Sequence, residues 1–208
     1  MIMIVLLLAG SLVQAQENKQ SGSFLIDLQW GPTTFFDYSG VSVLEPTTLS
    51  LVGDGHSKRS ISVSMFLGRQ FNEHLATGLE WSMATAHFPE YGETATLMFM
   101  NLQQRMGTRL NDGKASVWLG YGMGVVNANN KFRYGNNDYE FSRWGLDMSL
   151  SGGVTYDVTD EVYIGLSGET RLGNFFDKDI ALPSYFQRSN NHLYDYKVAL
   201  TLGLRIGK

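Results

Sequence analysis

Between Tyr196 and Ile206 every second residue is large and apolar: Tyr196, Val198, Leu200, Leu202, Leu204 and Ile206. The residues between them are Lys197, Ala199, Thr201, Gly203 and Arg205. A period of two places these sets on opposite faces of a β-strand. Eight segments alternate in this way, over about 23–31, 59–69, 75–87, 95–109, 115–127, 142–156, 162–173 and 193–206. The pattern is clear in Phe24, Ile26, Leu28 and Trp30, and again in Leu146, Met148 and Leu150. It is least tidy at LMFM (97–100), which is apolar on both faces. Helical periodicity is absent.

The connections alternate too. Those at 70–74, 110–114 and 157–161 are short, and Asn-Asp-Gly-Lys (111–114) has the composition of a hairpin turn. Those at about 32–58, 88–94, 128–141 and 174–192 are longer and polar. Strands that run up and down, with short turns at one end and long loops at the other, predict an all-β, eight-stranded antiparallel up-and-down transmembrane β-barrel. A strand of ~10 residues tilted by ~45° spans the apolar band of such a barrel.

The polar face says which solvent lies outside. It holds Asp27, Glu80, Asp147 and Glu169, and also Arg105, Arg171, Lys197 and Arg205, among serines, Gln103, Thr201 and glycines. Four acids meeting four bases is too little charge for a water-facing surface of this area. It suits a narrow lumen in which ions pair, so the apolar face meets lipid. Gly120, Gly122 and Gly124 share the lumen face, where close packing against Trp118 or an opposing arginine accounts for them. Their G-x-G-x-G spacing is not a nucleotide fingerprint. Aromatic residues near strand ends, among them Trp30, Trp144, Tyr156, Tyr163 and Tyr196, are expected to form the two interfacial belts.

Composition agrees. The chain has 23 Gly and 4 Pro, with 4 Trp, 10 Tyr and 12 Phe, which suits aromatic-rich strands and many turns. Its net charge of −4 carries no basic stripe for nucleic acid, and cysteine is absent. Residues 1–15, MIMIVLLLAGSLVQA, read as a secretory signal peptide cleaved after Ala15, which leaves 16–208 as one barrel domain. The positive residues that usually precede such an apolar run are missing.

The hairpins FLGRQFNEHLATGLEWS, TRLNDGKASVWLGYGMGV and GGVTYDVTDEVYIGLSGE, with the final alternating strand, resemble the small eight-stranded outer-membrane β-barrels of the OmpA/OmpX type. The likeness covers 23–208 and departs at the last residues, Arg205-Ile206-Gly207-Lys208, where the family commonly has a terminal aromatic. It implies a Gram-negative outer membrane, contact with its lipid and lipopolysaccharide, insertion by the barrel-assembly machinery, and a plugged lumen. No cofactor is expected, and the barrel is read as a monomer.

Three functional readings differ in class. The first is a structural or surface-interacting barrel whose long loops contact an extracellular ligand or host surface. The second is a lipid-modifying barrel enzyme using His87 and His192 near the long-loop rim, though no G-x-S-x-G elbow or H-E-x-x-H motif occurs. The third is a soluble barrel carrying a small apolar ligand. For the lumen charges, a salt-bridged plug stands beside a narrow gated pore. The first reading and the plug are the expectation taken forward.

Overall fold

The computed structural model describes residues 22–38, 41–44, 49–50, 58–72, 74–88, 93–110, 113–134, 136–176, 186–188 and 192–207. Residues 1–15, and with them the expected signal peptide, lie outside the described residues. Among the described residues eleven strands follow in chain order: β1 Ser23–Tyr38, β2 Val41–Leu44, β3 Leu49–Ser50, β4 Lys58–Asn72, β5 Leu75–Phe88, β6 Glu93–Arg109, β7 Ala115–Tyr134, β8 Asn137–Asp157, β9 Val162–Phe175, β10 Phe186–Arg188 and β11 His192–Ile206.

Eight of them close into one antiparallel barrel in the order β1-β11-β9-β8-β7-β6-β5-β4. The closing seam pairs β1 with β11, from Phe24 opposite Ile206 to Tyr38 opposite Leu193. Closure leaves no unpaired edge in the staves, which an up-and-down sheet in lipid requires. Alternation holds as expected. On β11, Leu193, Asp195, Lys197, Ala199 and Thr201 are buried, and Tyr194, Tyr196, Val198, Leu200, Leu202 and Leu204 are exposed. The outward set continues through Leu150, Leu166, Leu119 and Met148. An apolar wall this large is not a water-facing surface. At the tight turn Gly113 has φ of 70°, the left-handed conformation that Asp-Gly was expected to supply.

Three expectations need correction. The segment 128–141 is not a loop: β7 and β8 remain paired out to Tyr134 opposite Asn137. Asn127 Nδ2 donates to Ser142 Oγ at 2.8 Å, and Asn129 Nδ2 to Glu140 Oε1 at 3.0 Å. One face of this ribbon stays inward, with Ala128, Asn130, Phe141 and Arg143 buried, and the other carries polar residues such as Asn127, Asn129, Lys131 and Glu140, so the apolar alternation that marks the lower strands is lost. With 20 and 21 residues, β7 and β8 exceed the ~10 that crossing requires. Similarly, β1 runs past residue 31 to Tyr38, with a bulge between Phe35 and Asp37. The small strands β2 and β10 pair antiparallel, so two of the long connections are tied to each other by a sheet of their own.

The third correction concerns Tyr163. It is not a belt residue. It lies on the face of Glu169 and Arg171, is 5% exposed, and donates its hydroxyl proton to Asp27 inside the barrel. Its ring occupies the space over Gly203, where any Cβ would stand 2.1 Å from it. Phe35, Phe141 and Phe175 also point inward, although their places near strand ends suggested a belt. Trp30, Trp144, Tyr156 and Tyr196 do face outward.

Candidate functional site: the filled lumen

The inward face of each stave contributes to a bore packed in layers. Its middle is ionic. Arg171 on β9 reaches straight across to β5, with Nη2 3.1 Å from Glu80 Oε1 and 2.7 Å from Glu169 Oε2. Its Nη1 donates to Ser82 Oγ at 3.1 Å. Lys197 Nζ lies 3.3 Å from Glu169 Oε2 and 3.9 Å from Glu80 Oε1, and donates to Ser64 Oγ. Gln103 extends the chain by donating to Glu80 Oε2 at 2.7 Å and to Ser151 Oγ at 3.2 Å. Two cations and two carboxylates therefore compensate one another, as charges withdrawn from water must.

Towards the short turns, Arg105 pairs with Asp27 through Nη1 and donates Nε–H to Gln103 Oε1 at 2.7 Å. Its guanidinium stacks over Phe66, 3.7 Å from the ring centre, and over Trp118 at 4.5 Å. A Cβ on Gly120 would stand 2.8 Å from Ser151 Oγ and 3.2 Å from Arg105 Cγ, whereas Gly122 and Gly124 are packed against Ser149, Asn101 and the Met100 carbonyl rather than against an arginine or Trp118 as the sequence suggested. Towards the long-loop side the bore turns apolar: Phe35, Leu97, Phe99, Val126, Phe175 and Leu193 form one buried cluster with three alanines, Ala84, Ala95 and Ala128. Arg171 meets this layer through the face of Phe99, at 4.2 Å.

Of the eight charges expected in the lumen, six join this arrangement directly: Asp27, Glu80, Arg105, Glu169, Arg171 and Lys197. Asp147 is buried but bound by an amide, with Asn101 Nδ2 at 2.6 Å. Arg205 lies at the short-turn rim, 3.4 Å from Asp157. Sequence reasoning missed Asp195 and Arg143, both buried inward. Parity with Lys197 and Asp147 would have found them. It also missed the apolar layer, for which the two-sided LMFM segment was the signal. The two histidines of the enzyme reading are not neighbours. β5 and β11 are separated by β4 and β1, His192 is exposed, and the His87 side chain lies outside the described residues. Among the described residues no group of three or more His, Asp or Glu could hold a metal ion.

A closed antiparallel barrel of eight staves, apolar outside and filled inside, is the architecture of an outer-membrane β-barrel. The chain belongs to the outer membrane protein beta-barrel domain family, whose model matches residues 3–205. Its place is thus the bacterial outer membrane. Among solved structures it is similar to Neisserial surface protein A (NspA), with a TM-score of 0.55 and 13% identity over 89% of this chain and 99% of that one. At that identity the likeness concerns the fold. Lower scores link it to the outer membrane protease OmpT of Escherichia coli (0.46; 10% identity; 91% of this chain, 99% of that one). Ail, the attachment invasion locus protein of Yersinia pestis, scores 0.45 at 11% identity, over 89% of this chain and 100% of that one. No curated protein sequence matches the chain.

Proposed function

We propose that the protein is a non-catalytic barrel that holds its outer surface in place above the membrane while its lumen stays shut. The observation that carries this is the filling of the bore. Arg171, Lys197, Phe35 and Phe99 are each under 2% exposed and occupy the ionic and apolar layers, and Phe66 is equally buried beneath Arg105. An eight-stranded barrel is just wide enough for side chains to fill. Two unlike barriers in series stand in the bore, one closed by paired charge and one by exclusion of water.

In this reading the chain is secreted by a signal peptide removed after Ala15, inserted by the barrel-assembly machinery, and works as a monomer among lipid and lipopolysaccharide. The outer connections and the β7–β8 ribbon, with Asn127, Asn129, Lys131 and Glu140 on its faces, are the contact surface for an extracellular ligand or host surface. Planar-bilayer recording tests the shut lumen. Wild type is expected to give no steady conductance, and Glu80→Ala to give intermittent openings. A steady, sizeable wild-type current would refute the plug.

A further inference from the structure

We propose that the short-turn mouth of the barrel binds a small organic carboxylate. A cavity of about 80 Å³ opens there, below the ionic layer. Its wall carries three guanidiniums, Arg105, Arg109 and Arg205, together with His74 and a single carboxylate, Asp27. That carboxylate is already engaged, by Arg105 at one oxygen and by the Tyr163 hydroxyl at the other. Arg109 and Arg205 share one further acid behind the wall, Asp157, at 3.6 and 3.4 Å. Among the described residues three guanidiniums thus meet two carboxylates at these distances, and Arg109 and Arg205 also donate to the Gly113 and Asp160 carbonyls at 2.8 and 3.3 Å. Arg105 Nη2 and Arg205 Nε have no hydrogen-bond partner.

The remainder of the wall is mixed, with Gln70, Ser116 and Thr155 beside Leu25, Ala76 and the Trp118 ring. Cationic forks beside an indole face suit an anion with a planar head and a short carbon body. A water needs roughly 10–15 Å³ of such volume, so the space admits several waters or one small organic acid. In an outer-membrane barrel the short turns face the periplasm, so the ligand comes from that side. Two sources fit the chemistry: a free small acid, or the terminal carboxylate of a peptide chain.

Protein refolded in a non-ionic maltoside detergent is titrated while the Trp118 indole N–H resonance is followed, assigned through Trp118→Phe. The probes are acetate, inorganic phosphate, and a short peptide as its free acid and as its C-terminal amide. A saturable shift with acetate supports a free acid. A shift with the peptide acid, absent for the amide and weak for acetate, supports a chain terminus. Arg109→Gln is expected to weaken the effective probe at least tenfold, since Arg109 is partly exposed and Arg205 can hold Asp157 alone. If that variant does not refold, Ser116→Glu adds a like charge to the same wall and should abolish binding. No saturable shift, an equal response to the amide, a response to phosphate alone, or unchanged affinity in the variant that folds would each overturn the site.

Discussion

Two lysine–glutamate pairs in this barrel have the same separation and opposite surroundings. Lys197 Nζ and Glu169 Oε2 are 3.3 Å apart with side chains 2% and 4% exposed. Lys131 Nζ and Glu140 Oε2 are also 3.3 Å apart, on the outer ribbon, with side chains 64% and 54% exposed. Geometry does not separate them. What differs is the alternative open to each ion if its partner leaves. In the ribbon the alternative is water, which solvates a free charge at almost no cost. In the lumen it is a packed bore between Phe99 and Phe66, where a lone charge has nothing to replace its partner. The same bond is therefore close to irrelevant in one place and indispensable in the other.

The sharpest way to test that contrast is to remove one lumen partner. Glu169→Ala strips a carboxylate from both Arg171 and Lys197. Breaking a buried ion pair by removing one member costs about 3–5 kcal/mol. Urea unfolding in lipid vesicles should show a loss of that size. The double variant Glu169→Met/Lys197→Met removes both charges and keeps Arg171 on Glu80, so it should recover much of the loss. A single variant as stable as wild type would erase the distinction between the two pairs.

A second, smaller effect is expected where charge is placed on the other side of the same stave. Leu200 lies between Val198 and Leu202 on the outer wall, opposite Trp30 on β1. Leu200→Arg should cost about 2–4 kcal/mol if its position is near the bilayer midplane, with less at positions nearer the rims. Thr201, one residue on, faces the bore. Equal and negligible losses for arginine at 198, 200 and 202 would mean that this wall is not in lipid.

These contrasts also explain what was legible in the sequence. The wall was readable because lipid favours apolar residues at outward positions, so β11 declares its two faces unaided. The lumen ions were readable by parity from the wall. Their partners were not, because closure joins residues remote in the chain: Arg171 and Glu80 are 91 positions apart and meet from opposite staves. Inward apolar residues such as Leu97 and Phe99 were hidden for another reason. Alternation assigns greasy positions to the outside, and a stave that is apolar on both sides carries no such signal. Tyr163 was misplaced by its position near a strand end, although Ser167, Glu169 and Arg171 on the same parity pointed inward. The ribbon was missed because its outward positions, among them Asn127, Asn129, Lys131 and Glu140, are polar, although Ala128, Asn130 and Phe141 are buried inward.

The ribbon gives the smallest expected effect. The Asn129 amide, and after it Lys131, hold the Glu140 carboxyl below its ordinary range. A depressed carboxyl contributes stability above its unfolded pKa and loses it as pH falls through the lower, folded value. That window lies on the acid side of the usual glutamate range, well away from neutrality. Glu140 is fully exposed, so the contribution is screened by solvent and salt. Lys131→Ala and Glu140→Gln should therefore leave the unfolding midpoint at pH 7 unchanged within error. Salt separates the two pairs further. At 1 M the screening length is ~3 Å, which erases an exposed pair and barely reaches a buried one. The deficit of Glu169→Ala should persist in 1 M sodium chloride, whereas any small deficit of Lys131→Ala should vanish. A lumen deficit that salt abolished would mean that water reaches Lys197 and Arg171, and that the bore is not shut.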